Sequence, residues 1–210
     1  STTRLAINSN LGADVDVDRL LESIDGLTVD IYTSNESMTA QAEYIRDGLN
    51  WSAWLNNMHK LAASGKLRGL HVMCTINALC LDSLDSFLEM VHNWKLEYGK
   101  DSINFSLNIL RFPSFQSPLV LPDGLRTIYK NRLVAWYNAN KSSEFLHEFE
   151  LNQLQRLIDY LDVVKTPHAG AAEQSVLQSD FKQFYTQYDC RRNKNFVDTF
   201  PNLADWYNTL

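Results

Sequence analysis

Short apolar, β-branched runs alternate with longer amphipathic stretches through the first half of this chain, and that alternation limits its fold more than any other feature. Strand candidates fall at 4–9 (RLAINS), 28–33 (TVDIYT), 69–76 (GLHVMCTI) and 103–110 (INFSLNIL). Between the first two, residues 17–24 carry apolar side chains at 17, 20, 21 and 24, the spacing of one helical face. Residues 39–63 favour a long helix, which Gly48 and Asn50 are placed to break in two. Residues 82–98 put Leu84, Phe87, Leu88, Val91 and Trp94 on one face, and their opening, Asp82-Ser83-Leu84-Asp85, resembles a helix cap. Parallel neighbours need crossover connections, and these are right-handed. The expected fold is therefore α/β, with about four parallel strands from a partial (β/α) barrel or an open sheet and helices outside. After residue 110 the pattern changes. An irregular loop over 111–124 carries Pro113, Pro118 and Pro122, and residues 125–140, 148–164, 172–192 and 203–207 read as helices. The expected organisation is a β/α part over 1–124 and a helical C-terminal extension over 125–210.

Charge and cysteine usage exclude several function classes. Lys+Arg number 19 against 25 Asp+Glu, a net charge of -6. A nucleic-acid partner is not expected, because neutralising phosphates needs a basic face. No apolar run reaches the ~18 residues of a membrane span, so no membrane partner is expected either. Three cysteines, Cys74, Cys80 and Cys190, without a Cys-x-x-Cys pair, suit a reducing cytoplasm better than a disulfide scaffold. The five histidines lack metal-ligand spacing, so no metal is assigned. Ser1-Thr2-Thr3-Arg4 leads straight into the first strand, which predicts no signal peptide and, without an initiating Met, a processed, trimmed or partial chain.

In parallel α/β folds, sites gather at the C-terminal ends of the strands. Here those ends read Asn8-Ser9-Asn10, Thr33-Ser34-Asn35-Glu36, Thr75-Ile76-Asn77, and Asn108 with Arg111. Amides, hydroxyls, a carboxylate and a guanidinium on one rim suit a polar ligand with hydroxyls and a carboxylate or phosphate. Glu36 and Glu43 are seven apart, but neither has a paired carboxylate of the glycosidase kind. Glu36 with Arg111 is the pair that a metal-independent transferase or aldolase would use. Neither a Gly-rich phosphate loop nor a Gly-x-Ser-x-Gly elbow is present. Cys74, alternating with Val72, reads as a buried structural thiol. Cys190 lies beside Arg191 and Arg192, a setting that can lower a thiol pKa. The tail aromatics, from Phe181 to Tyr207, recur at helical intervals and read as core packing rather than as stacking platforms.

Specific strings carry a resemblance. Ile7-Asn8-Ser9-Asn10-Leu11-Gly12, Tyr32-Thr33-Ser34-Asn35-Glu36, residues 42–49 (AEYIRDGL) and Cys74-Thr75-Ile76-Asn77-Ala78-Leu79 follow in order. With Tyr188-Asp189-Cys190-Arg191-Arg192 and Phe200-Pro201-Asn202-Leu203, they resemble the later half of radical S-adenosylmethionine (SAM) enzymes bearing a twitch-type extension. The resemblance implies a partial barrel whose strand ends hold SAM, with Asn8, Asn10, Ser34, Asn35, Arg46 and Asn77 as the cofactor-binding candidates. Arg46 would face the SAM carboxylate, and Asn77 the ribose. Asn35 stands where the family usually has Asp. The three-cysteine segment that binds the family's [4Fe–4S] cluster is missing here, as is its Gly-Gly-Glu strand end. The resemblance thus implies a catalytically incomplete portion of an enzyme, with SAM and the cluster as cofactors of the full-length protein and no auxiliary cluster on this chain. The substrate is unspecified; a peptide is the class such groups often modify. The alternative is a non-catalytic α/β module binding a polar nucleotide-like ligand or a protein partner. Without a strand before it, the first strand would be an open edge, which predicts association of the isolated chain.

Overall fold

The computed structural model describes residues 4–163 and 171–210. Four strands, β1 (Arg4–Asn8), β2 (Thr28–Ser34), β3 (Gly69–Ile76) and β4 (Ile103–Ile109), form one all-parallel sheet in the order β1-β2-β3-β4. An order that follows the chain without reversal is that of a barrel wall. A doubly wound sheet reverses at a switch point. The crossovers carry α1 (Val17–Ser23), the pair α2 (Thr39–Ile45) and α3 (Trp51–Ala63), and α4 (Leu84–Tyr98). The expected break in the second crossover falls at Gly48, whose φ of +85° suits a residue without Cβ. Beyond it Asn50 caps α3 by accepting from the Ala53 amide at 2.8 Å.

The register separates two faces. Val29 and Ile31, then Leu70, Val72, Cys74 and Ile76, then Ile103, Phe105 and Leu107 point to one side and are buried. Trp54, Met58 and Leu61 of α3 and Phe87, Leu88 and Val91 of α4 belong to the same core. Trp54 also donates its indole N–H to Thr33 Oγ1 at 3.1 Å. Cys74 is buried here, as expected of a structural thiol, and burial pushes its pKa well up. The other face carries Asn8, Asp30, Tyr32, Ser34, His71, Met73, Thr75, Asn104, Ser106 and Asn108. Among the described residues its upper rows stay open: Met73 is 39 % exposed, and Thr75 and Asn108 are exposed too. Parallel strands buried on both faces read as unbroken apolar runs; these alternate because only one face is packed in the apolar core.

The two edges of the sheet differ. β1 is the outer strand on one side, and Arg4, Leu5, Ala6 and Asn8 are exposed. β4 is the outer strand on the other side, and the helical C-terminal part seals it. That part comprises α5 (Asp123–Asn140), α6 (Glu148–Leu161), α7 (Ala171–Arg192), α8 (Phe196–Thr199) and α9 (Pro201–Thr209). From α6, the Glu150 carboxylate accepts from the Phe105 amide (3.0 Å), Gln153 Oε1 accepts from the Leu107 amide (2.5 Å), and Arg156 donates to the Leu107 carbonyl (2.9 Å). Side chains thus replace the ladder that a fifth strand would supply. Glu150 also accepts from Lys95 Nζ at 2.6 Å, and both side chains are 0 % exposed. Asn104 Oδ1 and the His147 amide complete this network. Burial pulls the Lys95 pKa down, and the adjacent Glu150 carboxylate opposes that pull.

Several boundaries shift from expectation. A 3₁₀ turn occupies Cys80–Asp82, and α4 begins only at Leu84. The expected cap is absent: the Ser83 hydroxyl pairs with Ser37 Oγ at 2.6 Å, and Asp82 serves Gln41, Tyr129 and Asn202. The last helix runs from Pro201 to Thr209 rather than over 203–207. The helix expected over 148–164 ends at Leu161, where Asp162 caps it; position 164 itself lies outside the described residues. Of the tail aromatics, Phe181, Tyr185, Phe196, Phe200 and Tyr207 pack in the core as expected, Tyr188 and Trp206 are partly buried against it, and Phe184 is 38 % exposed. Among the described residues no helix is long and apolar enough to cross a membrane.

Removing one member of a buried ion pair leaves the other charged and unpaired, at a cost of about 3–5 kcal/mol, whereas replacing both is often near neutral. Glu150→Ala is therefore expected to lose about 3–5 kcal/mol in urea denaturation. Lys95→Met combined with Glu150→Gln, which removes both charges and keeps an acceptor for one of the Phe105 and His147 amides, is expected to regain part of that loss.

Candidate functional site

A cleft of about 520 Å³ opens at the C-terminal ends of β1 and β2, within the ~300–1,000 Å³ usual for ligand sites. The β1–α1 loop forms one wall. There Ser9 Oγ accepts from the Leu11 amide and Asn10 Oδ1 from the Gly12 amide, both at 3.1 Å. Leu11 is fully buried with φ +51°, and Asn57 of α3 donates to the Leu11 and Gly12 carbonyls at 3.1 Å each. These bonds hold Asn8, Ser9 and Asn10 at the mouth. Tyr32, Ser34 and Met73 from the open sheet face also line it.

The other wall is the α2–α3 turn, from Arg46 to Leu49. Two of the C-terminal strings anchor it. Asp189 accepts from Tyr44 Oη (2.6 Å) and from the Phe196 amide (2.8 Å), and Tyr188 Oη donates to the Tyr44 carbonyl (2.7 Å). Lys194 donates to the Glu43 carbonyl at 2.6 Å, and Lys194 and Arg192 both pair with Asp47. In the other string, Asn202 donates to Asp82 at 2.8 Å, and the same carboxylate accepts from Gln41 of α2 at 2.7 Å. These strings are therefore clamps on α2, the helix that leads into Arg46. Cys190, within the first string, is exposed on α7.

Arg46 reaches inward. Its Nη2 and Nε lie 2.5 and 3.1 Å from a single oxygen, Glu36 Oε2, which also accepts from the Thr75 amide at 3.3 Å. Glu36 is 1 % exposed; burial pushes its carboxyl up, and Arg46 works against that. A second hollow of about 290 Å³ lies on the far side of this pair, lined by Glu36, Thr75, Asn77, Gln116 and Tyr185. Arg46 belongs to both walls.

Of the six candidates, the fold brings Asn8, Asn10, Ser34 and Arg46 to one cleft. Asn35 and Asn77 are spent on turns. Asn35 Oδ1 accepts from the Glu36 and Ser37 amides, and Asn77 Oδ1 from the Leu79 and Cys80 amides. Asn35 is fully buried, whereas Asn77 borders the second hollow. The Glu36–Arg111 pairing does not form. Arg111 lies over the Tyr160 ring at 5.8 Å, and Glu43 caps α3 by accepting from the Trp51 amide at 2.8 Å.

Sequence reasoning passed over a polar cluster lower on the open face. Asp30, 1 % exposed, accepts from Arg4 (2.6 Å), Arg68 (2.9 Å) and His71 Nε2 (3.1 Å), and the His71 ring stacks on Tyr32 at 4.5 Å. Gly69 sits beneath this pair: a Cβ there would meet His71 Nε2 at 2.9 Å and Asp30 Oδ1 at 3.3 Å. The alternation in TVDIYTS and GLHVMC was the available signal, because it puts Asp30, Tyr32, His71 and Met73 on one face.

Burial works to raise the Asp30 pKa, but hydrogen bonds from Arg68, His71 and Arg4 outweigh it and hold the group at about 2. A depressed carboxylate pKa stabilises the fold above the unfolded value and loses that effect as pH falls through the folded one. Asp30→Asn is thus expected to cost about 1–2 kcal/mol at pH 7, and urea midpoints of variant and parent should converge between pH 4 and pH 2. Compared with protein-family models, curated proteins and solved structures, the chain matches none.

Proposed function

We propose that this chain forms the SAM- and substrate-lining portion of a radical SAM enzyme. The observation that carries the reading is the cleft itself. It lies at the C-terminal ends of sequentially ordered parallel strands, and Asn8, Asn10, Ser34 and Arg46 converge on it from separate segments. The donor set suits SAM. Ser34 and the two asparagines offer partners for ribose hydroxyls, Arg46 offers a guanidinium for the carboxylate, and Tyr32, Leu49 and Met73 supply apolar surface for the base. Asn77 and Tyr185, across Arg46, face the hollow that would take the substrate.

The residues present do not fit a [4Fe–4S] cluster. Cys74 and Cys80 are fully buried with raised thiol pKa values, and Cys190 is exposed on α7. Among the described residues no three metal-ligating side chains gather. In this reading the cluster thiolates come from outside these 210 residues. The chain's own part is to bind and orient SAM and to shield it from water. The free thiols suit a reducing compartment, which we take to be the cytoplasm.

Equilibrium dialysis of the chain against labelled SAM checks this. Saturable binding is expected, displaced by 5′-methylthioadenosine and weakened about tenfold by Asn8→Ala with Ser34→Ala, the scale of one or two lost hydrogen bonds. Arg46→Met should weaken SAM and spare 5′-methylthioadenosine, which has no carboxylate. Failure to saturate, or binding indifferent to all three positions, would retire the reading.

A further inference from the structure

We propose that an anionic group entering the cleft draws Arg46 away from Glu36, and that Glu36 then takes up one proton. The inference rests on the reading of the cleft as a SAM site, with the α-carboxylate as the anion. It adds that binding is coupled to protonation of a residue behind the cleft wall.

The geometry leads there in three steps. Arg46 stands between two hollows, its side chain 28 % exposed, while the Glu36 side chain is only 2 % exposed. The guanidinium spends Nε and Nη2 on one Glu36 oxygen, so its fork already serves an anion. A carboxylate arriving from the cleft competes for that fork, because paired N–H groups favour bidentate anion binding. Arg46 follows the last residue of a short helix and precedes Gly48 with φ +85°, so its backbone belongs to the α2–α3 turn and not to the sheet.

Among the described residues, Glu36 has no second cation to turn to. Its remaining neighbours are the Thr75 amide, the buried thiols of Cys74 and Cys80, and the Asn77, Gln116 and Tyr185 side chains of the hollow. The thiols and the Tyr185 phenol have raised pKa values and are neutral at pH 7. A buried carboxylate stripped of its cation escapes the cost of an unpaired charge by binding a proton. Charge then balances. The Arg46–Glu36 pair becomes an Arg46–ligand pair plus a neutral Glu36, and the proton comes from solvent. Sequence distance hides this coupling, since Glu36 and Arg46 are separated by all of α2.

Isothermal titration calorimetry of the full chain with SAM, at pH 7 in buffers of differing ionisation enthalpy, reads the proton directly. Close to one more proton per SAM is expected for the parent chain than for Glu36→Gln, which should still bind SAM. With 5′-methylthioadenosine, uptake by the parent chain should be near zero. SAM binding with equal proton counts in parent and Glu36→Gln would overturn the proposal and leave the cleft reading standing. Should Glu36→Gln fail to fold, the buffer series on the parent decides, and SAM counts equal to those of 5′-methylthioadenosine overturn it. If neither SAM nor 5′-methylthioadenosine binds, both readings fall.

Discussion

The Glu150 carboxylate is the point on which this architecture turns. It is buried with Lys95, receives an amide from β4, and accepts another at the start of its own helix. A lone buried charge would be costly, and a lone strand edge would recruit other strands. One side chain answers both problems. It joins α4, β4 and α6, and so attaches the helical C-terminal part to the sheet. Gln153 and Arg156 extend the same device along the edge.

The cleft depends on a second set of long-range ties. Its two walls are loops, and loops move unless something holds them. Asn57 holds the first through two carbonyls. Tyr188, Asp189, Lys194 and Asn202 hold the second by fastening α2, so Arg46 is positioned by residues some 145 places away in the chain. The C-terminal helices thus fix the site without lining its mouth, and substitutions at Asp189 or Asn202 would act on the cleft through α2.

Much of the fold was legible because period decides it. β3 runs from Gly69 to Ile76 as its alternation required, and the helix break at Gly48 followed from the residue that favours it. The polar second face was equally readable: Asp30, Tyr32 and Ser34 alternate with Val29, Ile31 and Thr33. The site was legible only in part. Ser34 and Asn35 are adjacent, and a string does not say which one faces the cleft; the chain turns after β2, and Asn35 closes that turn. Arg111 stands close to the end of β4 and looked like a partner for Glu36. The actual partner, Arg46, comes from the crossover helix. Glu150 reads in sequence as an ordinary acid in a helix's first turn, and nothing local marks it as an edge seal.

The unequal edges give the sheet a direction of growth. β4 has no free ladder to offer along Phe105 to Leu107, whereas β1 keeps its outer N–H and C=O groups. A strand that extends this sheet can therefore join on one side alone. Asn8 ends β1 and borders the cleft. The newcomer's own end would then stand beside it, as the next panel of the cleft wall. Any strand added at that edge would lengthen the sheet and the cleft wall together.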